Sequence, residues 1–88
     1  MDMEIIYSTK FAREYKKLPQ KVKLIAEKRE VIFRQNPLDP QLKSHKLHGK
    51  LKEFWSFSID GNYRIIFEFS KDKGQIYFHS VGNHDVYQ

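Results

Sequence analysis

The chain contains no cysteine, so neither a disulfide nor a thiolate metal site can staple it, and a reducing compartment suits it. No apolar run approaches the ~20 residues that a membrane-spanning helix needs. Met1-Asp2-Met3-Glu4 is acidic where a secretion signal would be basic, and no long apolar stretch follows it. A soluble, cytoplasmic protein with no membrane partner is therefore expected. Acidic residues are few and scattered singly, which argues against a two-metal nuclease, because paired ions need clustered carboxylates. HExxH, Walker and GxGxxG motifs are all missing, and without cysteine or GxSxG acyl-transfer catalysis has little support. No cofactor and no metal are expected.

What the chain does have is positive charge, unevenly placed. Its 88 residues allow a single domain, 1–88, with a modest core. The net charge is +5, yet residues 9–52 alone hold thirteen Lys/Arg against four Asp/Glu, a net of +9. Two readings fit that half equally well: a solvated helical face that confers solubility, or an electrostatic footprint for nucleic acid.

Periodicity orders the elements. Glu4 to Tyr7 reads as a short strand, and Ser8 suits the N-cap of a helix on which Phe11, Tyr15 and Leu18 share a face. Pro19 stops that helix and opens the next, where Val22, Ile25, Ala26, Ile32 and Phe33 form a second stripe as far as Arg34. Asn36-Pro37-Leu38-Asp39-Pro40 ends it, and a loop runs to about Gly49. From Leu51 the period changes to two, with Leu51, Glu53, Trp55, Phe57 and Ile59 alternating with polar or aromatic neighbours. Turns at Asp60-Gly61-Asn62 and Lys71-Asp72-Lys73-Gly74 divide the rest into strands 63–69 and 75–81. The expected fold is α+β, in the order β-α-α-β-β-β, with a helical hairpin packed on a mainly antiparallel four-stranded sheet.

Several side chains could act on a phosphodiester. Cleaving RNA through its own 2′-hydroxyl needs a base, a cation for the pentacoordinate phosphate and an acid for the departing 5′ oxygen. Histidine can fill either proton-transfer role near neutral pH, and arginine matches phosphate oxygens bidentately. The four histidines are His45, which opens the segment leading to the meander, His48 in the loop before Gly49, His79 inside the last strand, and His84 beyond the Gly82-Asn83 turn. A structural role suits His79 best. Arg64 lies in the middle strand of the meander and must reach solvent, a ligand or a carboxylate such as Glu53 or Glu68. Trp55 and Phe57 share a face, which points to core before any base-stacking platform.

Leu47-His48-Gly49, Phe54-Trp55-Ser56, Tyr63-Arg64-Ile65-Ile66-Phe67 and Val81-Gly82-Asn83-His84-Asp85-Val86-Tyr87, in this order on a β-α-α-β-β-β chain, resemble the RelE/ParE superfamily of toxins from bacterial type II toxin–antitoxin modules. The resemblance spans nearly the whole chain. It implies a ribosome-dependent mRNA endoribonuclease, with the ribosome and mRNA as targets and a cognate antitoxin protein as inhibitor. Arg64 is similar to the arginine that stabilises the transition state in these nucleases, and His84 to the C-terminal general acid of the YafQ and YoeB branches. His45 falls where YafQ has a functional histidine and YoeB a catalytic glutamate, which makes it the candidate base. Tyr87 resembles the aromatic residue that orients RNA, although the His84–Tyr87 spacing is one residue shorter than in YafQ. His48, Lys50 and Lys52 are further candidates for RNA contact. RelE's lysines on the first meander strand are replaced here by Trp55 and Phe57, and two polar positions of YafQ read Ser58 and Asn62, so those roles do not carry over. The ParE branch, which poisons DNA gyrase and is no nuclease, shares the fold and is the alternative.

Overall fold

Ser8 decides where the first strand gives way to a helix. Its backbone is extended, at φ −70° and ψ 160°, and its Oγ accepts the Phe11 N–H at 2.8 Å, satisfying one of the donors a helix start leaves open. The computed structural model describes residues 3–72 and 74–83. Strand β1 (Glu4–Tyr7) precedes this cap, and helix α1 (Thr9–Lys16) follows it. Pro19, at φ −57°, opens helix α2 (Gln20–Gln35), which ends at Asn36 just before the first proline of the loop. The remaining strands are β2 (His45–Lys46), β3 (Trp55–Ser58), β4 (Arg64–Phe69) and β5 (Gln75–Gly82).

The strands form one sheet in the order β1-β5-β4-β3-β2. Strand β1 runs parallel to β5, and the other pairs are antiparallel. The α+β architecture and element order agree with expectation, with one strand more than the four expected. The addition is β2, which lies within the segment read as loop. At two residues it is too short for alternation to show, and it is held by pairing His45 with Ser56 and Lys46 with Trp55. The first meander strand is correspondingly shorter than the alternation from Leu51 suggested. Gly49–Leu51 is instead a 3₁₀ turn, closed by Lys52 N–H to the Gly49 carbonyl at 3.2 Å, with Gly49 at φ +70°.

Both helices cover one face of the sheet. Phe33 of α2 is fully buried and stacks on Phe57 with ring centroids 4.9 Å apart, while meeting Phe67 and Phe78 edge-on at 4.9 and 5.2 Å. Phe11 of α1 reaches Phe78 at 5.5 Å. Truncating an aromatic ring in such a cluster typically costs about 3–5 kcal/mol, so this box fixes the helices on the sheet. A bulge in β5 sets Ile66 opposite Ser80 but Phe67 opposite Phe78, leaving His79 as the extra residue. The alternation therefore reverses, and Val81 joins Ile76 and Phe78 in the core.

Candidate active site on the sheet face away from the helices

The candidate residues His45 and Arg64 lie on the face turned away from the helices. Residues directly opposite in adjacent strands point the same way, so His45, Ser56, Ile66 and Ser80 form one row across it. Ser58, Arg64 and Gly82 form the next row. Strand spacing of ~4.8 Å and a rise of ~3.4 Å per residue put the His45 and Arg64 Cα atoms roughly 12 Å apart, within joint reach of one ribose-phosphate unit.

Arg64 is half-buried in the central strand, flanked in its own row by a serine and a glycine. Among the described residues no carboxylate lies within ion-pair distance of its guanidinium. Glu68, one of the two partners foreseen for it, is bonded instead to His79, whose Nε2 lies 3.0 Å from Glu68 Oε1. Phe54 meets the His79 ring edge-on at 4.6 Å. His79 thus has the structural role expected of it.

His45 is exposed, and its Nδ1 lies 3.2 Å from the Lys43 carbonyl oxygen. A carbonyl only accepts, so this contact selects the tautomer with the proton on Nδ1, in which Nε2 is the nitrogen that can accept a proton. Lys43 holds that carbonyl in place with a left-handed backbone, φ +53° and ψ +40°, at the end of the 3₁₀ turn Pro40–Leu42.

The other candidate positions fall in two places. His48, Lys50 and Lys52 sit exposed on the tip joining β2 to β3, next to the Trp55 end of β3, whereas Arg64 pairs with Ser58 at the other end. These three therefore lie on the His45 side of the sheet and away from Arg64. His84 and Tyr87 lie outside the described residues. Among the described residues no group of three or more His, Asp or Glu could hold a metal ion, and no helix is long and apolar enough to cross a membrane.

Residues 3–87 match the YafQ family, described as the bacterial toxin of the type II toxin–antitoxin system. The chain belongs to that family. No curated protein matches it by sequence. Among solved structures, a chain of the Escherichia coli DinJ–YafQ toxin–antitoxin complex is 18% identical, at a TM-score of 0.76 over 98% of this chain and 97% of that one. A chain of the RelBE2 toxin–antitoxin complex of Mycobacterium tuberculosis is 16% identical, at a TM-score of 0.78 over 96% and 100%. The YoeB/ParE toxin of Agrobacterium tumefaciens is 14% identical, at a TM-score of 0.79 over 93% and 99%. At such identities these structures speak for the fold.

In this YafQ-family toxin, Trp55 and Phe57 pack in or against the core, so the first meander strand offers no base there. Ser58 and Asp60 are occupied by the turn before β4. Ser58 Oγ donates to the Asp60 carbonyl at 2.7 Å, and the Asp60 carboxylate accepts from the N–H groups of Asn62 and Tyr63 at 2.8 and 2.9 Å. Ser56 and Ser80, which flank Ile66 in the His45 row and are buried, were not singled out by sequence reasoning. The alternation Trp55-Ser56-Phe57-Ser58 carries that signal, since it puts small polar side chains on the face opposite the core.

Behind the sheet, a groove of about 540 Å³ separates α1 from α2, with Phe11, Tyr15, Ala26 and Val31 on its walls. On its rim Tyr7 Oη donates to Glu30 Oε2 at 2.9 Å, and Arg34 lies 3.3 Å from the same carboxylate. Burial first, and then the neighbouring Glu30, raise the Tyr7 pKa above the ordinary phenol value of 10.0. Tyr15 is raised likewise, chiefly by burial.

Proposed function

We propose that this YafQ-family toxin is a metal-independent endoribonuclease that cleaves mRNA on the ribosome and so inhibits translation in the cytoplasm. The observation that carries the reading is the placement of His45 and Arg64 in adjacent rows on the sheet face away from the helices, with His45 Nδ1 against the Lys43 carbonyl and the guanidinium clear of carboxylates among the described residues. His45 Nε2 takes the proton from the 2′-hydroxyl, which attacks the adjacent phosphorus. Arg64 neutralises the charge that builds on the non-bridging oxygens, an interaction that strengthens toward the transition state. His84 protonates the departing 5′ oxygen, leaving a 2′,3′-cyclic phosphate or the 3′-phosphate formed by its hydrolysis. Tyr87 orients the RNA, and His48, Lys50 and Lys52 meet it or ribosomal RNA at the hairpin tip.

Exposed Lys16, Lys17, Lys21 and Lys28 give the helices a basic surface for ribosomal RNA. A cognate antitoxin protein is the expected inhibitor, since the similar Escherichia coli and Mycobacterium tuberculosis structures are toxin–antitoxin complexes. The ParE-like alternative, a gyrase poison, needs none of the His45–Arg64 arrangement.

Replacing the 2′-hydroxyl at the scissile nucleotide by hydrogen or methoxy tests the reading. Cleavage should stop while binding persists, because the nucleophile is gone. Continued cleavage would exclude the mechanism, and inhibited gyrase supercoiling with intact mRNA would establish the alternative.

A further inference from the structure

Strand β1 ends at Tyr7, opposite Phe78, but β5 continues to Gly82. Past Phe78, β5 therefore has backbone groups on its outer side with no strand to meet them. Helix α1 and its cap supply the missing partners. The Ser8 N–H donates to the Phe78 carbonyl at 3.0 Å, and Ser8 Oγ donates to the His79 carbonyl at 2.7 Å. One turn and a half further along, Glu14 Oε1 accepts the Val81 N–H at 3.1 Å, across 67 positions of sequence. Its second oxygen, Oε2, lies 3.3 Å from Lys10 Nζ, so the carboxylate is braced from its own helix.

Val81 and Gly82 matter because of what lies beside them. They pair with Ile65 and Arg64 on the inner side of β5, and the chain leaves Gly82 for Asn83 and His84. The Glu14 carboxylate supplies the acceptor that a neighbouring strand would otherwise offer the Val81 N–H. It acts here just beyond the bulge at His79, where the ladder is already irregular.

We propose that Glu14 is a positioning residue for RNA cleavage: by accepting the Val81 N–H it fixes the end of β5 against Arg64. Glu14 touches neither substrate nor reacting atoms and acts only through the strand. The inference rests on the proposed cleavage chemistry, since it assigns Glu14 a part in aligning Arg64.

Two conservative variants separate acceptor from charge, and neither removes a core side chain. Glu14→Gln keeps an acceptor at the same reach but loses the charge. Glu14→Asp keeps the charge but draws the acceptor back by one carbon–carbon bond. Single-turnover cleavage of ribosome-bound mRNA, at saturating and limiting ribosome, reads the effect, with amide hydrogen exchange at Val81 and Phe67 alongside it. Misplacing reacting groups by about 1 Å can cost ~10²-fold, so Glu14→Asp should lower the saturating rate about tenfold to a hundredfold. The ribosome concentration for half-maximal rate should not change, and exchange should quicken at Val81 but not at Phe67. Glu14→Gln should cleave within about threefold of wild type, as an effect carried by the acceptor requires. Wild-type rates in Glu14→Asp, or a Glu14→Gln as slow as Glu14→Asp, would overturn the assignment. So would a loss confined to ribosome dependence, since that is a docking role. A wild-type protein that cuts no mRNA would overturn the cleavage chemistry itself, and the positioning role with it.

Discussion

Arg64 and Arg29 are both half-buried arginines, and the structure predicts opposite consequences for losing them. Arg29 Nε donates to the Ile59 carbonyl at 3.2 Å and Nη1 to the Gln41 carbonyl at 3.5 Å, tying α2 to the turn before β4 and to the loop before β2. Arg29→Met strands a part-buried carbonyl, which typically costs about 1–3 kcal/mol. In a domain of this size each kcal/mol lowers Tm by roughly 4–8 °C. Arg64 has no carboxylate partner among the described residues, so Arg64→Met keeps the stem and orphans no charge there. Its effect on stability should stay within about 0.5 kcal/mol. Its effect on chemistry should be large: removing a group that stabilises developing phosphate charge costs on the order of 10²–10³-fold, or about 2.7–4 kcal/mol of transition-state energy. Thermal denaturation and single-turnover cleavage, measured on the same preparations, give both quantities. Arg64→Met should be stable and inactive, and Arg29→Met less stable but as fast per folded molecule as wild type. An Arg64→Met protein that cleaves at the wild-type rate would refute the reasoning, as would one destabilised as much as Arg29→Met.

His45→Ala should remove the acidic limb of the single-turnover pH profile, because a base works only once deprotonated; a profile of unchanged shape would move that role to another group. His84→Ala should leave the fold intact and slow cleavage about 10²–10⁴-fold, the usual range for a lost general acid, and full activity would remove His84 from the mechanism. Tyr7 and Tyr15 hold their phenol protons more tightly folded than unfolded, so their contribution is intact below about pH 10 and is lost as pH rises through the raised values. Urea unfolding above pH 10 should show that loss in wild type and less of it in Tyr7→Phe/Tyr15→Phe. Reversing the charge of Lys16, Lys17, Lys21 and Lys28 should weaken ribosome binding and flatten its salt dependence by roughly 0.7–0.9 log units per lost phosphate contact; an unchanged slope would make the basic face merely solubilising.

Much of this fold is legible in the sequence because its long elements obey a single period each. Phe11, Leu18, Val22, Ala26 and Phe33, read from helical spacing, are all buried, and Ser8 caps α1 as its residue type suggests. The misreadings arise where local geometry overrides the pattern. The alternation that begins at Leu51 is interrupted by the 3₁₀ turn at Gly49–Leu51, and β2 is specified by its partner strand, which no local window contains. The bulge at His79 reverses which residues of β5 face the core, a change that a strict period of two cannot express. Of the site, Arg64 is recognisable as a cation on a strand, but its nearness to His45 depends on cross-strand register. The Lys43 carbonyl that holds the His45 proton on Nδ1 has no signature in sequence at all. Thirteen basic residues look alike as a count, yet Arg29 and Arg34 are occupied within the fold.

A YafQ-family toxin of the proposed kind cuts mRNA with its own side chains at the ribosome. Primer extension on a translated mRNA, with purified protein in the presence and absence of ribosomes, tests it most directly. Discrete stops should fall at codon-fixed positions, need the ribosome and vanish with Arg64→Met. Intact mRNA beside ribosomes and active wild-type toxin would contradict it.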